Sequence, residues 1–194
     1  EIKAEGFNAI TLQGGENVVF QQSTDSTSSV KVYGADNVVD LMDIRVENGT
    51  LIISKKDQVM IFGSKSEVKV MVSAPRLNKL TVQGSGDVVL KKSLRTDKLE
   101  ITIEGSGDIK ADSIYCNELS STIQGSGDIE LKGIKGETVE AMIQGSGDIL
   151  LTGEAKTVSL ETQGSGEINA GGLKGENVKA ATLGAGNISC HANS

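Results

Sequence analysis

The chain is poor in rings. It has no tryptophan, three phenylalanines and two tyrosines in 194 residues. Its core must therefore be aliphatic, and ladders of Ile, Val and Leu suit stacked β-strands. Aromatic platforms of the kind that hold sugars are scarce as well. Phe7, Phe20, Tyr33 and Phe62 all precede residue 75, which leaves Tyr115 alone in the rest. There is one proline, Pro75, which fits hydrogen-bonded ladders broken by other means. Basic residues do not prevail: 19 Lys and Arg face 26 Asp and Glu, for a net charge of −7. No basic patch appears, so nucleic acid is not an expected partner. No run approaches the ~20 apolar residues of a membrane helix, so the mature segment is not expected to span a membrane. The first residue is Glu1 and no signal peptide is present, as expected of a mature or trimmed chain.

Glycine is plentiful, at 24 residues, and it is periodic. Gly84-Ser85-Gly86-Asp87 returns at Gly105, Gly125 and Gly145, then as Gly164-Ser165-Gly166-Glu167 and Gly184-Ala185-Gly186-Asn187. The intervals between first glycines are 21, 20, 20, 19 and 20 residues. A fixed period of this size marks a stacked repeat. Apolar residues prevail two and four positions before the first glycine, as at Leu80 and Val82 or Ile101 and Ile103, with Ser121, Thr162 and Thr182 as the polar members of these columns. They recur four and six positions after it, as at Ile129 and Leu131 or Ile149 and Leu151. That alternation gives two short strands per unit with one apolar side. A third apolar mark, nine or ten residues after the glycine, falls at Leu94, Ile114, Ile134, Ala155 and Leu173. Three inward faces predict a roughly triangular coil, and stacked coils bury what one coil cannot. The fold expected is a right-handed parallel β-helix, with six units rising roughly 25–30 Å. The glycines are expected to form corners, through positive φ or close backbone approach.

Residues 1–75 are read as an N-terminal cap with degenerate coils, residues 76–194 as regular coils, and the whole as one domain. Gly14-Gly15-Glu16-Asn17 resembles a degenerate corner. Gln21 to Ser29 reads as a loop or hairpin tip and Val30–Tyr33 as a strand. Asp36 to Asp43 reads as a short helical turn, and Met60–Gly63 as an apolar patch. Asn48-Gly49 between alternating strands predicts a type I′ hairpin from Ile44 to Ser54, a better reading of Asn48-Gly49-Thr50 than a glycosylation site. Glu67 to Ser73 reads as a strand ended by Pro75. The last coil is expected to be covered by a partner or by further sequence, since an open edge invites self-association. Cys116 and Cys190 lie about four coils apart, ~19 Å, beyond the ~7 Å of a disulfide. Both are expected as free thiols, with Cys190 in an inward column as a small core hydrophobe.

Three polar columns could carry chemistry. Asp87, Asp108, Asp128, Asp148 and Glu167, with Asn187, supply one carboxylate per level, whereas calcium takes six to eight oxygens. The expectation is that each acid bonds corner N–H groups or is solvated, and no metal or cofactor is assigned. Ser85, Ser106, Ser126, Ser146 and Ser165 lack a base, since the one histidine is His191. Gln83, Gln124, Gln144 and Gln163 are expected to stack as an amide ladder broken by Glu104 and Leu183. Paired carboxylates of a glycosidase are not distinguished from the repeat, so no catalytic residue is assigned.

The repeated Gly-Ser-Gly-Asp-Ile after an alternating strand resembles the family named putative auto-transporter adhesin, head GIN domain. The resemblance extends to Asn48-Gly49-Thr50-Leu51-Ile52-Ile53, to Val68–Val72 and to Pro75–Leu80. It implies a β-helical, exported bacterial protein of Bacteroides-like organisms, located in the periplasm, on the outer membrane surface or outside the cell. The expected function is non-enzymatic: a binding or adhesion module whose surface ligand is a glycan or a protein. The alternatives are a carbohydrate-binding or carbohydrate-active protein and a structural spacer or assembly unit.

Overall fold

The computed structural model of the chain describes residues 2, 4–35, 39–56 and 68–192. It is an all-β solenoid of about six turns, with coils about 20 residues apart. The helical turn expected at 36–43 falls partly outside the described residues. Within them, the Val39 N–H donates to the Ala35 carbonyl at 3.0 Å, and a strand begins at Met42. The apolar patch at 60–63 also lies outside the described residues.

The regular coils run from β7 (Lys79–Val82) and β8 (Val88–Arg95) through β9 (Lys98–Ile103), β10 (Ile109–Ile123), β11 (Ile129–Ile143), β12 (Ile149–Thr162) and β13 (Glu167–Thr182) to β14 (Asn187–Ala192). Burial along β10 explains the shape. Inward residues are Ile109 and Ala111, then Ile114 and Cys116, then Leu119, Ser121 and Ile123. The step of two becomes a step of three at two places, where consecutive residues both face out. Each such break turns the inward direction, so one long strand lines three walls. We number them one to three from the glycine corner. Every pairing between β7 and β14 is parallel.

Stacking brings like onto like. Val88, Ile109, Ile129, Ile149 and Ile168 form one ladder in register, each 1% exposed or less. Fully burying such a side chain stabilises by roughly 1.5–3 kcal/mol, and the gain recurs at every level. One column differs from the sequence reading. The third inward mark on β12 is Gly153, opposite Ile134 and Leu173, whereas Ala155 stands over Gly136 and under Gly175. The cause is the 19-residue coil: Lys132 and Gly133 together oppose Thr152 alone, which shifts everything after the first wall by one. The other irregular intervals are absorbed at the same place. Lys91 and Lys92 oppose Asp112, with Lys92 at φ 63°, and Ala170 and Gly171 oppose Leu151.

The N-terminal part joins the stack out of chain order. β1 (Ala9–Leu12) lies parallel to β7, and β2 (Asn17–Gln22) parallel to β8. The corner at Gly14-Gly15-Glu16-Asn17 therefore sits directly on the Gly84 corner, as the degenerate copy it resembles. Beyond it lie β5 (Thr50–Lys55) on β1 and β6 (Lys69–Ala74) on β2, again parallel. Two antiparallel strands close this end: β3 (Ser29–Tyr33) on β6 and β4 (Met42–Glu47) on β5. Asn48 and Gly49, at φ 50° and 76°, form the expected hairpin turn between β4 and β5. The stretch after Gln22 is a crossing loop and not a hairpin tip, because β3 pairs with β6 and not with β2.

Both cysteines are free, as expected, but their surroundings differ. Cys116 is buried in the middle of the stack. Cys190, expected in the core, is exposed, because it lies on β14 with no further described strand above it.

Candidate functional site

The glycine corners define one edge of the solenoid. Of the two reasons a corner could need glycine, close approach decides. The positive-φ residues of the described chain do not include any Gly-Ser-Gly glycine. A Cβ on Gly125 would overlap the Gly105 carbonyl oxygen, and one on Gly127 the Gly107 carbonyl oxygen. The Ser126 N–H donates to the Gly105 carbonyl at 3.0 Å, and the Ser146 N–H repeats this on Gly125. The corner serines thus act through their backbone. Their hydroxyl-bearing side chains are exposed, and His191 lies on β14 beside Lys174.

The acidic column is a structural ladder. Oδ1 of Asp87 accepts the Asp108 N–H at 3.0 Å, Asp108 that of Asp128 at 3.0 Å, Asp128 that of Asp148 at 2.8 Å, and Asp148 that of Glu167 at 2.7 Å. Each aspartate thereby satisfies a backbone donor that the sharp corner takes out of the strand ladder. Among the described residues, no group of three or more His, Cys, Asp or Glu side chains is gathered as a metal would require. The amide column is also real but differs in detail. Gln13 donates to Gln83 at 3.1 Å, Gln83 to Glu104 at 2.9 Å, and Gln124 to Gln144 at 3.3 Å. Glu104 therefore continues the column as an acceptor instead of breaking it. Gln163 turns to Glu161 in its own coil.

The feature that sequence reasoning missed lies at the corner between the second and third walls. A groove of about 510 Å³ runs across five levels there, from Arg95 at the end of β8 to Glu176 on β13. Its floor is small because Cys116, Gly136, Ala155 and Gly175 stack on one another. One side is the column Arg95, Tyr115, Lys135 and Glu154, each paired in register with the next. The other side carries Asn117, Glu137, Lys156 and Glu176. The Arg95 guanidinium carbon lies 4.1 Å from the Tyr115 ring centroid, and Lys135 Nζ lies 5.8 Å from it. The single aromatic of the regular coils is thus held between two cations.

Arg95 is anchored from outside its own coil. Its N–H donates to Gln22 Oε1 at 2.9 Å, and Gln22 Nε2 donates back to its carbonyl at 2.8 Å and to the Pro75 carbonyl at 2.9 Å. Further along, Lys156 pairs with Glu137, whose hydrogen bond and charge raise the lysine pKa, with Glu176 adding to the effect. On the floor, burial pushes the Cys116 thiol up to about 11, so it stays neutral and unreactive at ordinary pH. The signal was in the sequence all along. Residues 95, 115, 135 and 154 recur at intervals of 20, 20 and 19, drifting from 11 to 9 positions after the corner glycine, on an outward column that an apolar search passes over.

The whole chain now finds its relatives. The family model described as putative auto-transporter adhesin, head GIN domain, matches residues 6–134 and 122–194. The chain belongs to that family. Among solved structures, a putative adhesin from Bacteroides fragilis is 27% identical with a TM-score of 0.78, the match covering 96% of this chain and 93% of the other. A putative lipid binding protein from Parabacteroides distasonis shares the fold at 22% identity and a TM-score of 0.82, covering 97% and 94%. A putative adhesin from the same species follows at 20% identity and a TM-score of 0.63, covering 96% and 93%. No curated protein sequence matches the chain. The expected family and fold therefore hold.

Proposed function

We propose that this chain is an exported, non-enzymatic adhesion module that holds a polar surface ligand in the groove between its second and third walls. The observation that carries the reading is the aligned column Arg95, Tyr115 and Lys135 over a floor of small residues. An anchored aromatic, fixed charges and a long shallow trough suit one face of an extended polymer. The adhesin family supports it. The groove offers charge and hydrogen bonds, but a thiol or hydroxyl nucleophile with an imidazole base has no support there, because Cys116 is buried and neutral and no histidine lines it. One relative is described as a lipid binding protein. A lipid seat has little support here: the large exposed hydrophobics among the described residues are Tyr33, Met71 and Leu183, all outside the groove. A spacer role would leave the groove without a use.

A glycan-array screen of the purified chain, run beside Tyr115→Ala, tests the proposal. Binding that Tyr115→Ala reduces at least tenfold, with the bound glycan intact by mass spectrometry after prolonged incubation, supports it. Cleavage of the glycan, or binding that ignores Tyr115→Ala and an Asn117→Ala companion, overturns it.

A further inference from the structure

We infer that the Arg95–Tyr115–Lys135 end of the groove seats an anionic substituent, carboxylate or sulfate, of an acidic saccharide. The inference rests on the adhesion reading above and adds the class of ligand. Arg95 and Lys135 are exposed, and neither has a carboxylate partner within ion-pair distance among the described residues. Two cations left unpaired in one groove are notable in a chain of net charge −7. By strand stacking their backbones are two levels apart, ~9.6 Å. At such a separation the repulsion between two solvated charges is weak. An anion placed between them is attracted to both.

The aromatic ring narrows the chemistry. Arg95 and Lys135 lie over Tyr115 from the two neighbouring levels, so the ring is not a bare platform for a sugar face. What it offers a ligand is its hydroxyl edge, in a groove that also holds the two cations and, on the opposite side, Asn117, whose amide donates to Asp97 at 3.4 Å. Such a set recognises an oxyanion flanked by hydroxyl groups. Apart from Tyr115, the side chains that flank the small-residue floor are charged or polar, which favours a polar polymer over an apolar protein segment. One and two levels beyond Lys135, Glu154 and Glu176 reverse the sign of the groove. A ligand acidic at one end and neutral beyond it fits that polarity; a uniformly charged chain does not.

The test is an array in which each acidic oligosaccharide is paired with its own neutral form: uronates with their methyl esters, sialylated with asialo glycans, and sulfated with desulfated ones. Acidic members are expected to bind at least tenfold more tightly, and the series that binds tells carboxylate from sulfate. The preference should vanish in Arg95→Gln/Lys135→Gln and persist in Lys110→Gln, which removes an exposed cation outside the groove, with unchanged circular dichroism in both. It should also weaken as salt rises. Equal binding of acidic and neutral forms, an unaltered preference in the double variant, or no binding to any acidic member overturns the inference. Tyr115-dependent binding of neutral glycans alone would leave the adhesion reading standing and remove this one. Binding of no glycan of either kind would count against both.

Discussion

The corner at Gly14 and the corner at Gly84 lie on top of each other and solve the same bend differently. In the repeats both corner positions are glycine, because each Cβ would enter the carbonyl of the coil on that side. In the first corner the second position is Glu16. Its side chain occupies that side itself: the carboxylate is buried, neither oxygen has a hydrogen-bond partner among the described residues, and the Lys55 ammonium stands 3.2 Å away. Gly14 is still required, for a new reason, since a Cβ there would overlap the Glu16 carboxylate. Glycine at these corners is thus a property of what is stacked on a residue and not of the bend.

The largest test of that contrast is Gly125→Ala beside Gly15→Ala. The first forces a methyl group into the Gly105 backbone and is expected to cost about 3 kcal/mol or more. The second meets only the Ser85 hydroxyl, at 3.2 Å, and should cost about 0.5 kcal/mol. Denaturant midpoints measure both, and equal losses would restore the conformational explanation. Next in size is Lys55→Met, which strands the buried Glu16 carboxylate and is expected to cost about 2 kcal/mol. Adding Glu16→Gly should recover most of it in a double-mutant cycle, because glycine is the residue of the regular corner.

Smaller effects probe the ladders. Asp128→Ala removes the acceptor of the Asp148 N–H and should cost about 1 kcal/mol, with Asp128→Asn losing less because an acceptor remains. Thr162 has the opposite sign. Its hydroxyl is fully buried without a partner, in the column of Ile123 and Ile143. Thr162→Val should stabilise by about 1 kcal/mol. Last, the two thiols separate mid-stack from rim. Cys190 should react with a thiol reagent at once and Cys116 only on unfolding. Because burial raises the folded Cys116 pKa to about 11 from 9.0, its contribution is complete below pH 9 and is lost as pH rises through 11. A Cys116→Ala variant should lack that alkaline loss.

These contrasts also mark where reading the chain succeeds. The ladders, the corner glycines and the Asn48-Gly49 turn were legible because each depends on residues a few positions or one coil apart. Which coil stacks on which was not. Nothing local says that β1 and β2 slide between β7–β8 and β5–β6, because that choice is made by surfaces some 40 to 70 residues distant. The Ala155 assignment failed on one missing residue, and Cys190 failed because an inward position is buried only when another strand lies above it. The candidate site was half legible. Tyr115 stood out as the lone late aromatic, but its partners Arg95 and Lys135 show only when outward columns are aligned.

The coil-length differences described above have a practical reading. From β8 to β13 the stack gains or loses a residue three times, and each time it does so between the first and second walls: at Lys91–Lys92, Lys132–Gly133 and Ala170–Gly171; the larger shift between β13 and β14 falls at the same place. The inward ladders on either side keep their partners. For protein engineering this is a seam along which foreign loops could be displayed at ~5 Å vertical pitch, on a scaffold whose groove lies one wall away.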